Sequence, residues 1–359
     1  MKYFASTVSE SVKLLGQSFI VGYYLPALAF VLVHNYTLVP IWTGTLAAFS
    51  ITVGGVDLVS LLGVLLVSLV VAIVLVGFND FLIKAFEGKV WWLRQGLLYP
   101  LTQLNRRRCE RTYGNLVGLQ KEHRRVSSLL VQAQSPEERE RLGQQVAGLA
   151  QQIHKEHKEI ERRHPYQTLP HDVDRVSPTA FGNAYAIAEE YAYERYGIDS
   201  VLFWLRLRAL MQDVSPAHSA RIASQKMSLD LLLNLSFVAG LLVVETISTL
   251  VFGPDGHGNL LIPLALVAAG FSVGFYSASV GAVRTMGELI KISFDYHRAL
   301  ILEALGLQMP DDLVVEQVTW VRLAAFIRRG DEFYFPVEAR KAESAETAKE
   351  ISANSAAPQ

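Results

Sequence analysis

Apolar residues gather along this chain in four long runs, separated by stretches in which apolar positions recur every three or four residues. The first run covers about Leu14 to Val33, carries Gly22 and Pro26 inside it, and gives way to His34-Asn35. The second extends from Leu58 to Phe78 and is almost all Leu, Val, Ile, Gly and Ser. The third spans about Leu229 to Phe252 and the fourth Leu260 to Val283. About 20 apolar residues cross the hydrocarbon core as a helix, so each run predicts a transmembrane helix. The uncharged stretch from Tyr36 to Val56 is rich in Thr, Gly and β-branched residues. It predicts an extracytoplasmic loop (34–57) with a short interfacial helix around Trp42 to Phe49, a re-entrant segment being the alternative.

The intervening segments have helical periodicity. Cys109, Thr112, Leu116, Leu119, His123, Val126, Leu130 and Ala133 form one heptad-like seam, and Leu142, Val146, Leu149, Ile153 and Ile160 form a second. Between them, Ser135-Pro136-Glu137-Glu138 carries a capping box with proline at the first helical position. Residues about 102–163 therefore read as an antiparallel coiled-coil hairpin. Ser177-Pro178 is expected to start a helix that Gly197 ends, and Asp199 or Ser200 to cap the next one. Asp311-Asp312 caps a last helix with an apolar stripe of Leu313, Val314, Val318, Val321, Ala325 and Phe326. From 339 to 359 the Ala/Glu/Ser/Lys composition reads as a disordered tail.

Charge gives these elements a direction. No Lys or Arg lies between Lys13 and Lys84 or between Lys226 and Arg284, although the chain has 33 in all against 34 acids. The two short connectors are free of basic residues, so the positive-inside rule places both termini and the central block on the cytoplasmic side. The expected organisation is all-α. Two transmembrane helices fill 1–83, a helical cytoplasmic domain 84–226, two more spans 227–283 and cytoplasmic C-terminal helices 284–338. Together the spans make a four-helix transmembrane bundle.

Candidate chemistry is sparse. Cys109 is the single cysteine, so no intramolecular disulfide forms. His154, His157, His164 and His171 do not close a metal site at ligand spacing and read as exposed positions on a charged helix. Gly270-Phe271-Ser272-Val273-Gly274 spells a nucleophile-elbow motif. That motif needs a strand-to-helix turn and a histidine, whereas here it sits mid-helix and no predicted span holds a histidine. No P-loop or dinucleotide fingerprint is present. The expectation is therefore no catalytic, cofactor or metal residues, and no nucleic-acid partner. Gly270, Gly274, Ala278 and Ala282 recur every four residues and predict a close helix-packing face, within the bundle or between protomers. Glu245 is the one acid well inside a span, a candidate intramembrane polar site. Arg106, Arg107, Arg108 and Arg111, with Trp91 and Trp92, are candidate contacts to lipid, anionic lipid included. Around Glu189, Glu190, Tyr191 and Arg195 the charge and aromatic density predicts an interhelical network, a polar ligand pocket being the alternative.

Asn79 to Gly88 (NDFLIKAFEG), Trp91-Trp92 and Phe181 to Leu207 resemble a family of uncharacterised bacterial multi-pass membrane proteins. The shared elements are an apolar helix ending in Asn-x-x-x-Ile-Lys-x-x-Glu-Gly and a Gly-Asn…Ala-Glu…Tyr-Gly-x-Asp…Trp-x-Arg-Leu segment. Leu205 stands where that family often has a proline. The resemblance implies a bacterial inner membrane and no assigned reaction. The resulting expectation is a non-enzymatic inner-membrane protein. Its cytoplasmic helices would mediate homo-oligomerisation or signalling, docking a cytoplasmic protein partner through the hairpin. An oligomeric ion channel or membrane-perturbing effector is the alternative.

Overall fold

In lipid no water reaches backbone N–H and C=O groups, so a lone apolar segment that crosses a bilayer has to be helical. The computed structural model describes residues 16–43, 58–133, 135–163, 168–254 and 256–333, and all regular structure among them is helical. Four helices are long and apolar enough to cross a membrane. They are α1 (Gly16–Thr43), α2 (Leu58–Phe86), α8 (Pro216–Phe252) and α9 (Gly258–His297). Between α2 and α8 lie α3 (Trp91–Gln95), α4 (Tyr99–Gln132), α5 (Pro136–Arg163), α6 (Ala180–Tyr196) and α7 (Ser200–Val214). After α9 come α10 (Ala299–Ala304) and α11 (Leu313–Arg329).

The chain divides into two compact units. One joins Met1–Ala188 with Ala217–Ile290, and the other joins Glu189–Pro216 with Lys291–Gln359. This division cuts across the 84–226 block drawn from sequence.

In the first unit the four long helices share apolar clusters. Ala27, Ala72, Leu75, Leu82 and Val238 bring α1, α2 and α8 together. Leu38, Ile41, Leu242, Leu261 and Ala268 join α1, α8 and α9. Phe181 and Ala184, from the first turns of α6, pack with Leu229, Leu233, Val280 and Val283. That docking needs a glycine at 182: a Cβ there would collide with the Glu87 carbonyl and the Ser177 side chain. The helix starts two residues later than Ser177-Pro178 suggested, with Thr179 Oγ1 accepting the Gly182 N–H at 2.9 Å. Ser177 instead donates its hydroxyl to the Glu87 carbonyl.

Helix α1 also departs from its sequence reading. The helical run does not end at Val33 but continues through His34–Leu38 and Val39–Thr43. Residues 44–57 of the expected loop lie outside the described residues.

The α4–α5 hairpin packs its two arms together, as the heptad spacing required. Val126, Ala133 and Leu142 form its distal cluster, and Ser135 Oγ accepts the Glu138 N–H at 3.2 Å. At the proximal end Cys109, Tyr113 and Leu116 pack with Val176 and Ile153. Tyr113 takes the buried position that the seam gave to Thr112. His157 and His171 are not simply solvated. Their rings meet edge-on at 5.9 Å, and His171 lies 4.7 Å from the Tyr113 ring.

The second unit is held by a polar network over an aromatic core. Phe203 packs edge-on against Trp320 at 5.2 Å, both fully buried. Asp199 caps α7 by accepting the Leu202 N–H at 3.1 Å, and Asp312 caps α11 through Val314 and Val315. Gly197, at φ 72°, allows the turn before α7 to lie against the Gln317 backbone, where a Cβ would sit 2.9 Å from its carbonyl oxygen. On α11 the buried residues are Glu316, Trp320 and Leu323, whereas Leu313, Val318 and Val321 of the expected stripe are exposed. The reason is an ion pair: Arg298 Nε donates to Glu316 Oε1 at 2.7 Å, and Trp320 Nε1 donates to the same oxygen at 3.1 Å. The network expected around Tyr191 is present, since Tyr191 and Tyr196 both donate their hydroxyls to Asp295, the latter at 2.8 Å.

Burial, and then the bond to Asp295, push the Tyr196 phenol up to about 12. An unfolded chain releases this proton near pH 10, so stability is retained below that pH and lost as pH rises through the folded value. Thermal melts are expected to stay flat to about pH 9 and then fall between about 10 and 12, with a shallower fall in Tyr196→Phe. Superimposable pH profiles for the two proteins would contradict this.

Candidate functional site

Proline removes a donor from a helix and leaves the carbonyl four residues earlier without its partner. Helix α1 contains two such places, at Pro26 and Pro40, and a π-helical turn precedes each, Ile20–Tyr24 and His34–Leu38. Pro26 frees the carbonyl of Gly22, and Asn234 of α8 supplies the missing donor through Nδ2 at 2.9 Å. One turn away, Asp230 is only 6% exposed. Lys226 Nζ holds it at 2.7 and 2.8 Å and the Tyr23 hydroxyl at 3.1 Å. Asp230 is therefore not left to bulk water. It is a buried carboxylate neutralised within its own helix.

The second π turn begins with His34, whose Nδ1 lies 2.7 Å from Oε1 of Glu245. Phe30 stacks on the imidazole, with ring centroids 6.0 Å apart and planes within 18°. One turn further along, Trp42 Nε1 donates to Thr249 Oγ1 at 3.1 Å, and Thr249 donates to the Glu245 carbonyl at 2.9 Å. The walls are Leu38, Ile41, Leu242, Leu261 and Ala268, with Phe30 and Val33 beside them. Charges in such surroundings attract more strongly than in water but lose their hydration, so the pair is favourable only as a pair. The two side chains face each other between α1 and α8, each about a third exposed. The other carboxylate oxygen, Oε2, is buried and has no hydrogen-bond partner among the described residues. The site therefore offers a close polar pair between two long helices and one open carboxylate acceptor.

Sequence reasoning found Glu245 and missed His34, because the first span was taken to end at Val33. The signal was present in Pro40, whose freed carbonyl implies a continued, distorted helix rather than a loop. Asn234 could likewise have been found by asking what satisfies Gly22 once Pro26 has removed its donor.

The small-residue face is divided. Ala282 packs at the edge of the cluster around Phe181 and Leu229. Gly270, Gly274 and Ala278 are exposed, and a Cβ at Gly270 or Gly274 would meet nothing within 4 Å. The contact between α8 and α9 is made elsewhere: Ser236 and Ser272 each donate a hydroxyl to the other's carbonyl, at 2.9 and 3.0 Å. The nucleophile-elbow motif lies on this continuous helix, so Ser272 is a packing residue. Trp91, Trp92, Leu97, Tyr99, Leu101 and Leu104 are all exposed around α3 and the start of α4. Arg107, Arg108 and Arg111 are exposed on the same helix, whereas Arg106 is partly buried and lies 3.9 Å from Asp174.

The fold and these sites define a class: an all-α protein with four helices able to cross a membrane and polar groups paired within them. No family model, curated protein or solved structure matches the chain.

The pair has a measurable energy. A double-mutant cycle with His34→Ala and Glu245→Gln, read from unfolding in detergent, is expected to give a coupling of about 1 kcal/mol. Additivity within about 0.3 kcal/mol would show that the two side chains act independently.

Proposed function

We propose that this chain is a non-enzymatic protein of the bacterial inner membrane that works as a homo-oligomer. The observation carrying this is the exposed, unpartnered row of Gly270, Gly274 and Ala278 on α9. Small residues at four-residue spacing let helix backbones approach closely, and among the described residues a Cβ at Gly270 or Gly274 meets nothing within 4 Å. The density of Lys and Arg between 84 and 226 supports a cytoplasmic location for the hairpin and for both termini. In that arrangement the hairpin is the element placed to dock a cytoplasmic protein partner and relay assembly as a signal. Anionic lipid is a further partner, favoured by the exposed tryptophans and arginines around α3 and α4.

Disulfide cross-linking tests the assembly, in a Cys109→Ser background that removes the native thiol. Gly274→Cys is expected to give a covalent dimer in membranes, and Val70→Cys, exposed on α2, to give none. Gly274→Leu is expected to shift the detergent-solubilised protein towards monomer. A monomeric wild-type particle, or equal cross-linking at both positions, would end this reading.

The His34–Glu245 pair favours a second reading, in which an oligomer conducts protons or cations past the open carboxylate oxygen. In liposomes loaded with a pH-sensitive dye, wild-type protein should then dissipate a proton gradient and Glu245→Gln should not. Identical traces for the two proteins would sink this alternative.

A further inference from the structure

Where α4 leaves the membrane-length helices, its side chains form one wall of a polar cavity of about 510 Å³. Asn105, Arg108, Thr112 and Tyr113 line that wall, and Thr168 and Leu169 face it from the connecting segment. Pro178, Ala180 and Asn183 complete it from the first turn of α6. Among the described residues none that lines it is acidic, and Arg108 brings a full positive charge.

Donors in this cavity outnumber their partners. Asn183 is only 2% exposed, and its Oδ1 accepts the Ser177 N–H at 2.7 Å. Its amide nitrogen finds no acceptor among the described residues. Asn183 lines the cavity, so its Nδ2 is free to donate to an acceptor placed there. The Arg108 guanidinium and the hydroxyls of Thr112 and Thr168 have no partner among the described residues either. The N-terminus of α6 adds its positive dipole end to the same space.

The frame around these donors is fixed. Asn105 Nδ2 donates to the Ser177 and Pro178 carbonyls at 3.0 and 3.3 Å, which ties α4 to the start of α6. Ser177 is in turn bonded to the Glu87 carbonyl at the end of α2. The cavity thus sits one short connection from a membrane-length helix, and that connection carries the exposed Trp91, Trp92 and Leu97.

We infer that this cavity binds a phosphate group, carried by the headgroup of a membrane lipid or by a free phosphate ester. Arg108 neutralises the charge, while Asn183, Thr112 and Thr168 donate to phosphate oxygens. A diffuse basic surface would treat every arginine alike; a cavity singles out Arg108.

Full-length protein in nanodiscs and in lipid-free detergent tests this. Native mass spectrometry would count retained phosphatidylglycerol against uncharged diacylglycerol, and melting shifts would report glycerol phosphate. Retention of phosphatidylglycerol without a melting shift identifies a lipid headgroup; a shift with glycerol phosphate and no retained lipid identifies a soluble ester. In either case Arg108→Gln should weaken binding about tenfold or more and Thr112→Val measurably. Arg107→Gln, which removes the same charge outside the cavity, should leave most of the binding. Absence of both signals, or equal losses from Arg107→Gln and Arg108→Gln, overturns the proposal. Unchanged melting of both arginine variants without ligand shows that the loss is not unfolding.

Discussion

A carbonyl freed by proline inside lipid can be satisfied only by another part of the protein, and the bundle is organised around one such bond. Pro26 leaves the Gly22 carbonyl open, and Asn234 closes it at 2.9 Å. An unsatisfied group in hydrocarbon costs several kcal/mol, more than any one apolar contact there gains. That bond fixes the rotation of α1 against α8. Once the register is set, Tyr23 meets Asp230, His34 meets Glu245 and Trp42 meets Thr249, in order along the same two helices. Apolar packing alone would not choose this alignment, since lipid tails solvate Leu and Val as well as a neighbouring helix does.

Outside the long helices the same accounting applies in a different solvent. Glu316 is 3% exposed and would be strongly destabilising without Arg298 and Trp320. Breaking a buried ion pair leaves a charge without compensation, and that penalty exceeds the worth of the pair itself. Burial works against the charge on Arg298, and the bond to Glu316 more than restores it, raising the guanidinium's affinity for its proton. The guanidinium also lies 4.0 Å from the centre of the Tyr196 ring, so one cation links the Asp295 and Glu316 halves of the network.

The fold was legible wherever one physical term dominated. Hydrophobic length gave the four long helices, and heptad spacing with the Ser135 cap gave the hairpin, with Leu142, Val146 and Leu149 all placed on the packed side. Legibility failed where a polar residue was the buried one. The α11 stripe was assigned to the wrong face because Glu316 and Gln317 looked like surface positions, and nothing local announces that Arg298 will arrive to pair with the acid. The end of α1 was misplaced because His34-Asn35 looked like a polar stop. A histidine ends an apolar run only if no acid faces it, and Glu245 is more than two hundred residues away in sequence. Of the candidate residues, Glu245 and the small-residue row were readable from spacing and composition. Asn183 and Thr112 were not, because their significance lies in what they leave unbonded.

Helix α9 brings the composition of a single face to bear on assembly. Its packed side carries Ser272, Ser279, Val280 and Val283, and the lipid-facing side carries Leu266, Phe271 and Val273. Gly270 and Gly274 belong to the exposed set, yet each weakens the helix by about 1 kcal/mol relative to alanine. They also contribute almost no dispersion contact to lipid tails. A helix that faced only lipid would gain from Leu or Val at both positions. Two glycines one turn apart become favourable when another backbone comes close enough to use the missing side chains, through van der Waals contact along both helices. Within one chain that approach is already taken at Gly240, where an added Cβ would lie 3.5 Å from Ser272 Oγ. Gly270 and Gly274 have no such neighbour among the described residues, and this is the opening that the proposed homo-oligomer would fill.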